Sequence, residues 1–286
     1  MGMHAQRVTD QIAFHAEGPV WWPAWGGLRF VDMLAGRWLT LRDGGAVEAT
    51  HLPEGAGSIV AATRPRTGGG AVIGVERGFA LEAADGSVTL LPPLWPADRQ
   101  LRMNEGACDP QGRFWCGSMH YEKQAGAASL WRLSTDMQAA PMLPDLTISN
   151  GLDWSPDGAS AYFIDTPSMR IDLFDYDGES LLNRRPLVDF GDEGLRPDGL
   201  TVDAEGCVWV AYSNGAQVRR YRPDGRCDGR IELPTKKVTA CTFGGESLQT
   251  LFITTSRDGV PDDGIGGSLF AAEVGVTGQP TRCFAG

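Results

Sequence analysis

Four polar residues occur at nearly the same position in successive stretches of the chain, and together they could bind a metal ion. Glu17 and Asn150 lie 13 residues before a short apolar run, and Asn104 and Asp198 lie 11 residues before one. Glu17, Asn150 and Asp198 offer only oxygen ligands, which suit hard cations such as calcium, magnesium or manganese. Two buried carboxylates would repel each other, and a divalent cation offsets that repulsion. Three protein ligands leave coordination positions for water and substrate, which is typical of catalytic metal sites.

The same residues also have a simpler interpretation as turns. Gly directly follows Glu17, Asn150 and Asp198, and Asn-Gly and Asp-Gly are common turn pairs. Any one of them alone is more typical of a turn than of a ligand. Four in one register, including Glu17, which does not favour turns, indicate convergence on a shared site.

The elements that must position these residues are the apolar runs themselves, which repeat along the chain. The runs begin at Phe30, Val72, Trp115, Phe163, Trp209 and Phe252, at intervals of 42 to 48 residues. A period in the low forties with short strands in each unit is typical of propeller blades. Six units of about 45 residues account for nearly all of the 286 residues. We therefore predict an all-β chain, with residues 1–286 forming a single six-bladed β-propeller domain. The run near Val8 to Phe14 is expected to help close the ring against C-terminal strands.

Composition narrows the choice of partners and location. The formal charge is −11 and no Lys/Arg cluster follows a phosphate backbone, so a nucleic-acid partner is not expected. No apolar segment is long enough to span a membrane, and residues 1–9 lack a signal-peptide pattern, so we expect a cytoplasmic protein without a membrane partner. The six cysteines contain no CxxC pair, which argues against a zinc site or a disulfide framework. A closed propeller has no open sheet edge, so a monomer is expected.

Motifs along almost the whole chain resemble those of one family. They are HAEGPVW (15–21), FVD (30–32), RMNEGACDPQGR (102–113), WCGSM (115–119), ISNGLDWSPDG (148–158), PDGLTVDAEG (197–206) and CTFGG (241–245). In this order they resemble the SMP-30/gluconolactonase/regucalcin-like family of six-bladed propellers.

The resemblance implies a metal-dependent sugar lactonase that acts on aldonolactones of the gluconolactone or xylonolactone type. It implies that one divalent cation binds to Glu17, Asn150 and Asp198. Calcium is the first choice, with magnesium, manganese, zinc or iron(II) as alternatives. Arg102 and Asn104 match substrate-binding positions of the family, and Glu122 matches a third by its spacing. The family often has Asp where this chain has Glu105, which is therefore left out of the metal shell, and His120 is given no role.

The chemistry of such a site assigns the general base to Asp198. Its carboxylate can both contact the cation and take a proton from water, while the cation polarises the lactone carbonyl. Two other classes remain open. One is a related metal-dependent hydrolase of phosphotriesters or other esters, although none of the four histidines lies in the ligand register. The other is a calcium-binding propeller without enzymatic activity.

Overall fold

Short runs rich in β-branched and aromatic residues alternate with Gly-containing turns, and this pattern produces strands rather than helices. The computed structural model describes residues 3–42 and 44–286. It shows six small antiparallel sheets in a ring, so the predicted all-β, six-bladed β-propeller is confirmed. Within these residues the helices are single 3₁₀ turns of three residues each, and none is long and apolar enough to cross a bilayer.

The strands follow one another around the ring in chain order. Two short strands come first, β1 (Met3–His4) and β2 (Gln6–Arg7). The first blade contains β3 (Ala16–Trp22), β4 (Gly27–Asp32), β5 (Arg37–Arg42) and β6 (Val47–His51). The second contains β7 (Val60–Pro65), β8 (Ala71–Val75), β9 (Gly78–Glu82) and β10 (Val88–Leu90). The third contains β11 (Leu101–Cys108), β12 (Phe114–His120), β13 (Ala128–Leu133) and β14 (Ala139–Leu146).

The second half of the ring repeats this arrangement. The fourth blade contains β15 (Ser149–Trp154), β16 (Ser160–Asp165), β17 (Arg170–Tyr176) and β18 (Leu181–Asp189). The fifth contains β19 (Pro197–Val202), β20 (Val208–Tyr212), β21 (Gln217–Tyr221) and β22 (Cys227–Glu232). The sixth contains β23 (Val238–Gly244), β24 (Thr250–Thr255) and β25 (Leu269–Glu273). The 3₁₀ turns are Pro23–Trp25, Met33–Ala35, Ala97–Arg99, Thr166–Ser168 and Gly191–Glu193.

Each apolar run identified in the sequence begins in the second strand of a blade, one strand away from the axis. The core lies between the faces of neighbouring blades, where large aromatic side chains meet. Trp115 contacts Trp154 with ring centroids 6.1 Å apart, and Trp209 contacts Phe243 at 5.9 Å, both edge to face. Such pairs add to the burial of apolar area that holds adjacent blades together.

The N-terminal residues close the ring. β2 forms the outer strand of the sixth blade, where Gln6 pairs antiparallel with Ala271. The contact continues into the run from Val8, whose backbone N–H donates to Leu269 O at 2.8 Å. The closing strand therefore lies just before the predicted run of residues 8–14, and that run extends its hydrogen bonding. β1 adds a fifth, parallel strand to the fifth blade.

The innermost strand of every blade has an irregularity in its pairing. The register between the first and second strands shifts at the same level in all six blades. Asn104, Asn150 and Asp198 are the first residues inside their shifts, and Glu17 directly precedes the one in β3. β-Bulges redirect side chains and are frequent beside active sites.

The C-terminal strap, residues 276–286, crosses one end of the channel and touches every blade. Its residues hydrogen-bond, in blade order, to Trp21, Pro65, Gly112, Asp153, Ala204 and Leu248. Phe284, near its end, is completely buried. The strap and the inner strands beyond their bulges line a cavity of about 90 Å³ that includes Glu105.

Candidate active site

The other end of the channel holds a larger cavity, and most of the predicted site residues line it. Its volume is about 370 Å³. Glu17, Asn104, Asn150 and Asp198 come together there from four different blades, and Arg102 joins them from β11. All five side chains are buried. The shared register in the sequence therefore corresponds to a shared level on the axis.

Glu122 is the predicted site residue that the structure does not bring to this cavity. It is exposed on the turn after β12, and its backbone N–H donates to His120 Nδ1 at 3.1 Å. The next residue, Lys123, lines the cavity instead. Glu105 also lies elsewhere, because it lines the strap-side cavity, where its Oε1 is 3.3 Å from Arg64 Nη2.

The two carboxylates of the site lack a compensating positive charge. Among the described residues, neither Glu17 nor Asp198 forms an ion pair with a lysine or arginine. Burial, followed by the charges of Asp198 and Glu105, raises the pKa of Glu17 well above its ordinary value. Burial also raises the pKa of Asp198 to about 7, although Lys237 opposes that shift. A bound cation would relieve this unfavourable burial of negative charge.

His15 is the nearest basic side chain to Glu17, and it does not offset the charge. Its Nε2 lies 3.7 Å from Glu17 Oε1, and its Nδ1 is 2.7 Å from Ser256 Oγ. Burial, together with the charges of Lys237 and Arg102, lowers the pKa of His15 to about 3. A neutral imidazole leaves the carboxylates dependent on another source of positive charge.

The orientation of the Asn150 amide is fixed by its neighbours. Thr166 Oγ1 donates its single hydrogen to Pro197 O at 2.8 Å, so this hydroxyl can only accept from Asn150. Asn150 Nδ2 accordingly donates to Thr166 Oγ1 at 2.8 Å. The amide oxygen is thereby left on the opposite side, available as a ligand. Glu17, Asn150 and Asp198 form a set of oxygen donors that fits a hard divalent cation.

Arg102 and Asn104 extend this ordered network. Arg102 Nη1 donates to Asn104 Oδ1 at 2.8 Å, which directs the Asn104 amide group toward the next blade. Asn104 Nδ2 then donates to Ser149 O at 2.8 Å and to Asn150 Oδ1 at 3.2 Å. The remaining guanidinium nitrogens of Arg102 make no hydrogen bond within the described part of the chain, so they can contact a ligand in the cavity.

Sequence reasoning predicted Arg102 but missed His15, Arg196 and Lys237, which form with it a second set of cavity residues, one layer nearer to the mouth. His15, Arg102, Arg196 and Lys237 each lie two positions before Glu17, Asn104, Asp198 and Thr239, the bulge-level residues of their strands. Side chains two residues apart on a strand lie on the same face. The signal was therefore present as a basic or histidine residue two places before each of these positions.

A second acidic group, outside the channel, is a turn rather than a metal site. Side-chain atoms of Asp203, Glu205 and Cys207 lie close together. Asp203 Oδ1 accepts from the backbone N–H groups of Glu205 and Cys207, and its Oδ2 accepts from Arg220 Nε at 2.8 Å. Asp109 closes the corresponding turn of the third blade in the same way. Both oxygens of the Asp203 carboxylate therefore already accept hydrogen bonds from within the protein.

Comparison with known proteins identifies the family. A model described as the SMP-30/Gluconolactonase/LRE-like region matches residues 15–257. The chain belongs to the SMP-30/gluconolactonase/LRE-like family. The matched span contains all the bulge-level residues at the cavity, and the resemblance seen in the sequence is thus confirmed.

Relatives within the SMP-30/gluconolactonase/LRE-like family match the chain along nearly its whole length. A 6-deoxy-6-sulfogluconolactonase of Pseudomonas putida is 36% identical over 98% of each chain, and the regucalcin of Oryctolagus cuniculus is 35% identical over 94% of each. The structure of a calcium-binding regucalcin of Agrobacterium tumefaciens has a TM-score of 0.91 at 26% identity, covering 99% of this chain and 98% of the other. The structure of a gluconolactonase of Xanthomonas campestris has a TM-score of 0.77 at 26% identity, covering 94% of this chain and 88% of the other. Two of these relatives are named for lactone hydrolysis, so the chain lies in a family that includes sugar lactonases.

Proposed function

We propose that the protein is a divalent-metal-dependent sugar lactonase that hydrolyses aldonolactones to aldonic acids. The observation that carries the proposal is the pair of buried, uncompensated carboxylates, Glu17 and Asp198, beside the fixed amide oxygen of Asn150. This arrangement is unfavourable without a cation, and its position in an open cavity leaves room for a small cyclic ester. The lactonases among the relatives support the choice of substrate.

Glu17, Asn150 and Asp198 would hold the cation. Their all-oxygen donor set favours calcium, followed by magnesium and manganese, over zinc or iron(II). The calcium-binding regucalcin relative supports calcium as the first choice. When bound, the cation polarises the lactone carbonyl and stabilises the negative charge that develops on its oxygen.

The residues of the chain supply the rest of the mechanism. Asp198 accepts the proton of a water molecule as that water adds to the carbonyl carbon. The bond between this carbon and the ring oxygen then breaks, and the proton passes from Asp198 to the ring oxygen. The product is the open-chain hydroxy acid. The free guanidinium nitrogens of Arg102 would donate to substrate hydroxyl groups, with Asn104 held beside them.

A substrate role for Glu122 remains a prediction, since its exposed turn would have to fold over the cavity to reach a bound sugar. The cytoplasmic location and the monomeric state also remain predictions from the sequence.

The proposal is tested by lactone hydrolysis measured before and after treatment with a chelator, with single divalent cations added back. We expect turnover of gluconolactone and xylonolactone to be lost and then restored, most fully by calcium. Glu17→Gln should weaken metal binding, because it removes one of the two negative charges, whereas Glu54→Gln on the surface should not.

Three results would contradict the proposal. Chelator-resistant turnover, together with unchanged metal affinity in Glu17→Gln, would remove the cation from the mechanism. Turnover of phosphotriesters but not of lactones would indicate the related hydrolase. Metal binding without turnover of any ester would indicate a binding propeller.

A further inference from the structure

The mouth of the candidate active site carries positive charge on a protein that is negative as a whole. The chain has a formal charge of −11. The cavity is nevertheless lined by five lysine and arginine side chains and by only three carboxylates. They are Arg102, Lys123, Arg196, Lys236 and Lys237 against Glu17, Asp198 and Asp258. An excess of one sign of charge around a cavity attracts ligands of the other sign.

The three carboxylates that line the cavity are neutralised by other partners. Lys237 Nζ is 2.8 Å from Asp258 Oδ2, so these two residues neutralise each other. The proposed divalent cation would neutralise Glu17 and Asp198. Arg102, Lys123, Arg196 and Lys236 then remain as cations, and across the described chain the side chains of Arg196 and Lys236 form neither an ion pair nor a hydrogen bond. Both are exposed, so a ligand can reach them.

Arg196 and Lys236 belong to neighbouring blades, but one turn holds both of them in place. Arg196 O accepts from the backbone N–H of Ser213, and Arg196 N donates to Asn214 Oδ1 at 2.8 Å. Lys236 O accepts from the backbone N–H of Ala216 at 3.0 Å. The turn between β20 and β21 thus fixes the backbone of both cations beside the same wall of the cavity.

Arg196 also lies at a suitable distance from Asp198, the proposed general base. Arg196 precedes Asp198 by two residues of extended chain, a spacing of about 7 Å. That spacing is comparable with the length of a six-carbon sugar. A lactone whose carbonyl lies at Asp198 would therefore extend its far end toward the mouth.

We propose that the preferred substrate is an anionic sugar lactone, with a phosphate, sulfonate or carboxylate group at the carbon farthest from the carbonyl. Arg196 and Lys236 bind this group. The inference rests on the proposed lactonase function and adds the charge of the substrate. If Arg196 and Lys236 were ordinary solvated side chains, the enzyme would show no preference for an anionic lactone, so the two interpretations can be distinguished.

The test compares kcat/KM for glucono-δ-lactone with kcat/KM for the same lactone carrying phosphate, sulfonate or carboxylate at carbon 6. We expect at least one anionic lactone to be the better substrate at low ionic strength, with the advantage falling as salt is added. Comparison of the three anions identifies the group that the site prefers.

Charge-neutral variants assign the effect to residues. Arg196→Gln and Lys236→Gln should each lower kcat/KM on the preferred anionic lactone by roughly threefold to fivefold, and the double variant by about tenfold or more. Turnover of the neutral lactone should stay within about twofold. Arg230→Gln on β22 removes the same charge from a side chain that pairs with Glu232 and does not line the cavity, and it should change turnover of neither substrate.

Each of the other possible outcomes contradicts a different part of the proposal. If the neutral lactone is turned over as well as every anionic one, the substrate-charge inference is wrong and the lactonase proposal stands. If the variants lower turnover of both substrates equally, the two cations support the fold or the site and do not bind an anion. If no lactone of either kind is hydrolysed, the proposed function itself fails.

Discussion

At Asp198 two requirements meet in one side chain, since it is proposed both to hold the cation and to move the proton. Asp198→Asn keeps the shape and one ligand oxygen but cannot accept a proton. We expect kcat on lactones to fall by about 10²- to 10⁴-fold at saturating metal, the usual contribution of a positioned general base. Full activity at saturating metal would show that another group transfers the proton.

A stability measurement shows whether this variant is folded. Without metal, burial raises the pKa of Asp198 to about 7. The folded state therefore favours the protonated carboxyl, and stability should fall as pH rises from about 4 to 7. Asn carries no charge, so in chelator at pH 8 the variant should melt no lower than the parent. A much lower Tm would mean that the loss of activity reflects misfolding.

Thr166 contacts no proposed ligand atom of the cation, yet it decides which end of the Asn150 amide is available. We expect Thr166→Val to weaken metal binding by about 10- to 100-fold, the usual effect of removing a group that orients a ligand. Thr166→Ser keeps the hydroxyl and should bind metal nearly as the parent does. Direct titration with calcium measures both. Equal affinities in the Val and Ser variants would contradict the assigned role.

The inner strands explain why Gly accompanies the site residues. Gly151, which follows Asn150, lies against the inner strand of the next blade. An added Cβ would lie 2.6 Å from Leu200 N and 2.9 Å from Asp198 O. Asn-Gly here reflects close packing of neighbouring strands within a bulge, and not a turn between strands. The glycine thus controls the separation between two proposed metal ligands.

Gly151→Ala should therefore affect both stability and the site. We expect a loss of about 1–3 kcal/mol in the free energy of unfolding, the usual cost of overpacking, and weaker metal binding because the backbone of Asp198 must move. Gly68→Ala is a matched control, since an added Cβ there meets nothing within 4 Å. Its stability should be unchanged or slightly higher. Unaltered melting of both variants would show that the strands separate without cost.

The contrast between Asn150 and Glu122 shows how far the sequence could predict the site. Asn150 lies on a repeating strand, so its register with Glu17 and Asp198 translates directly into a shared level at the axis. Glu122 lies on a turn, whose path depends on contacts that have no period, and spacing alone could not place it. Thr166 was missed for a related reason, because its role depends on a hydrogen bond to Pro197 in the next blade.

For the molecule as a whole, the C-terminal strap joins all six blades and covers the end of the channel opposite the candidate site. Phe284 is its completely buried anchor. We expect Phe284→Ala to lower the free energy of unfolding by about 3–5 kcal/mol, through lost burial and the cavity left behind. Phe14→Ala provides the comparison, because Phe14 is 41% exposed and its truncation should cost far less. Thermal or denaturant unfolding measures both.

Equal destabilisation by the two substitutions would show that the strap adds little to the ring. The strap itself was not predicted from the sequence, since residues 276–286 form no regular element and their contacts are distributed over turns of every blade.

Closure of the ring by β2 also has a consequence for the order of events on the ribosome. Gln6 is translated well before its partner, Ala271, which follows 265 residues later. At about 5–20 residues per second, the first strand waits roughly 13–50 s for the edge that it must cover. Until then β2 has no partner, and its unpaired backbone groups are the kind of surface that pairs with other chains. The ring of the nascent propeller thus stays open to misassembly until the last strand of the sixth blade has been translated.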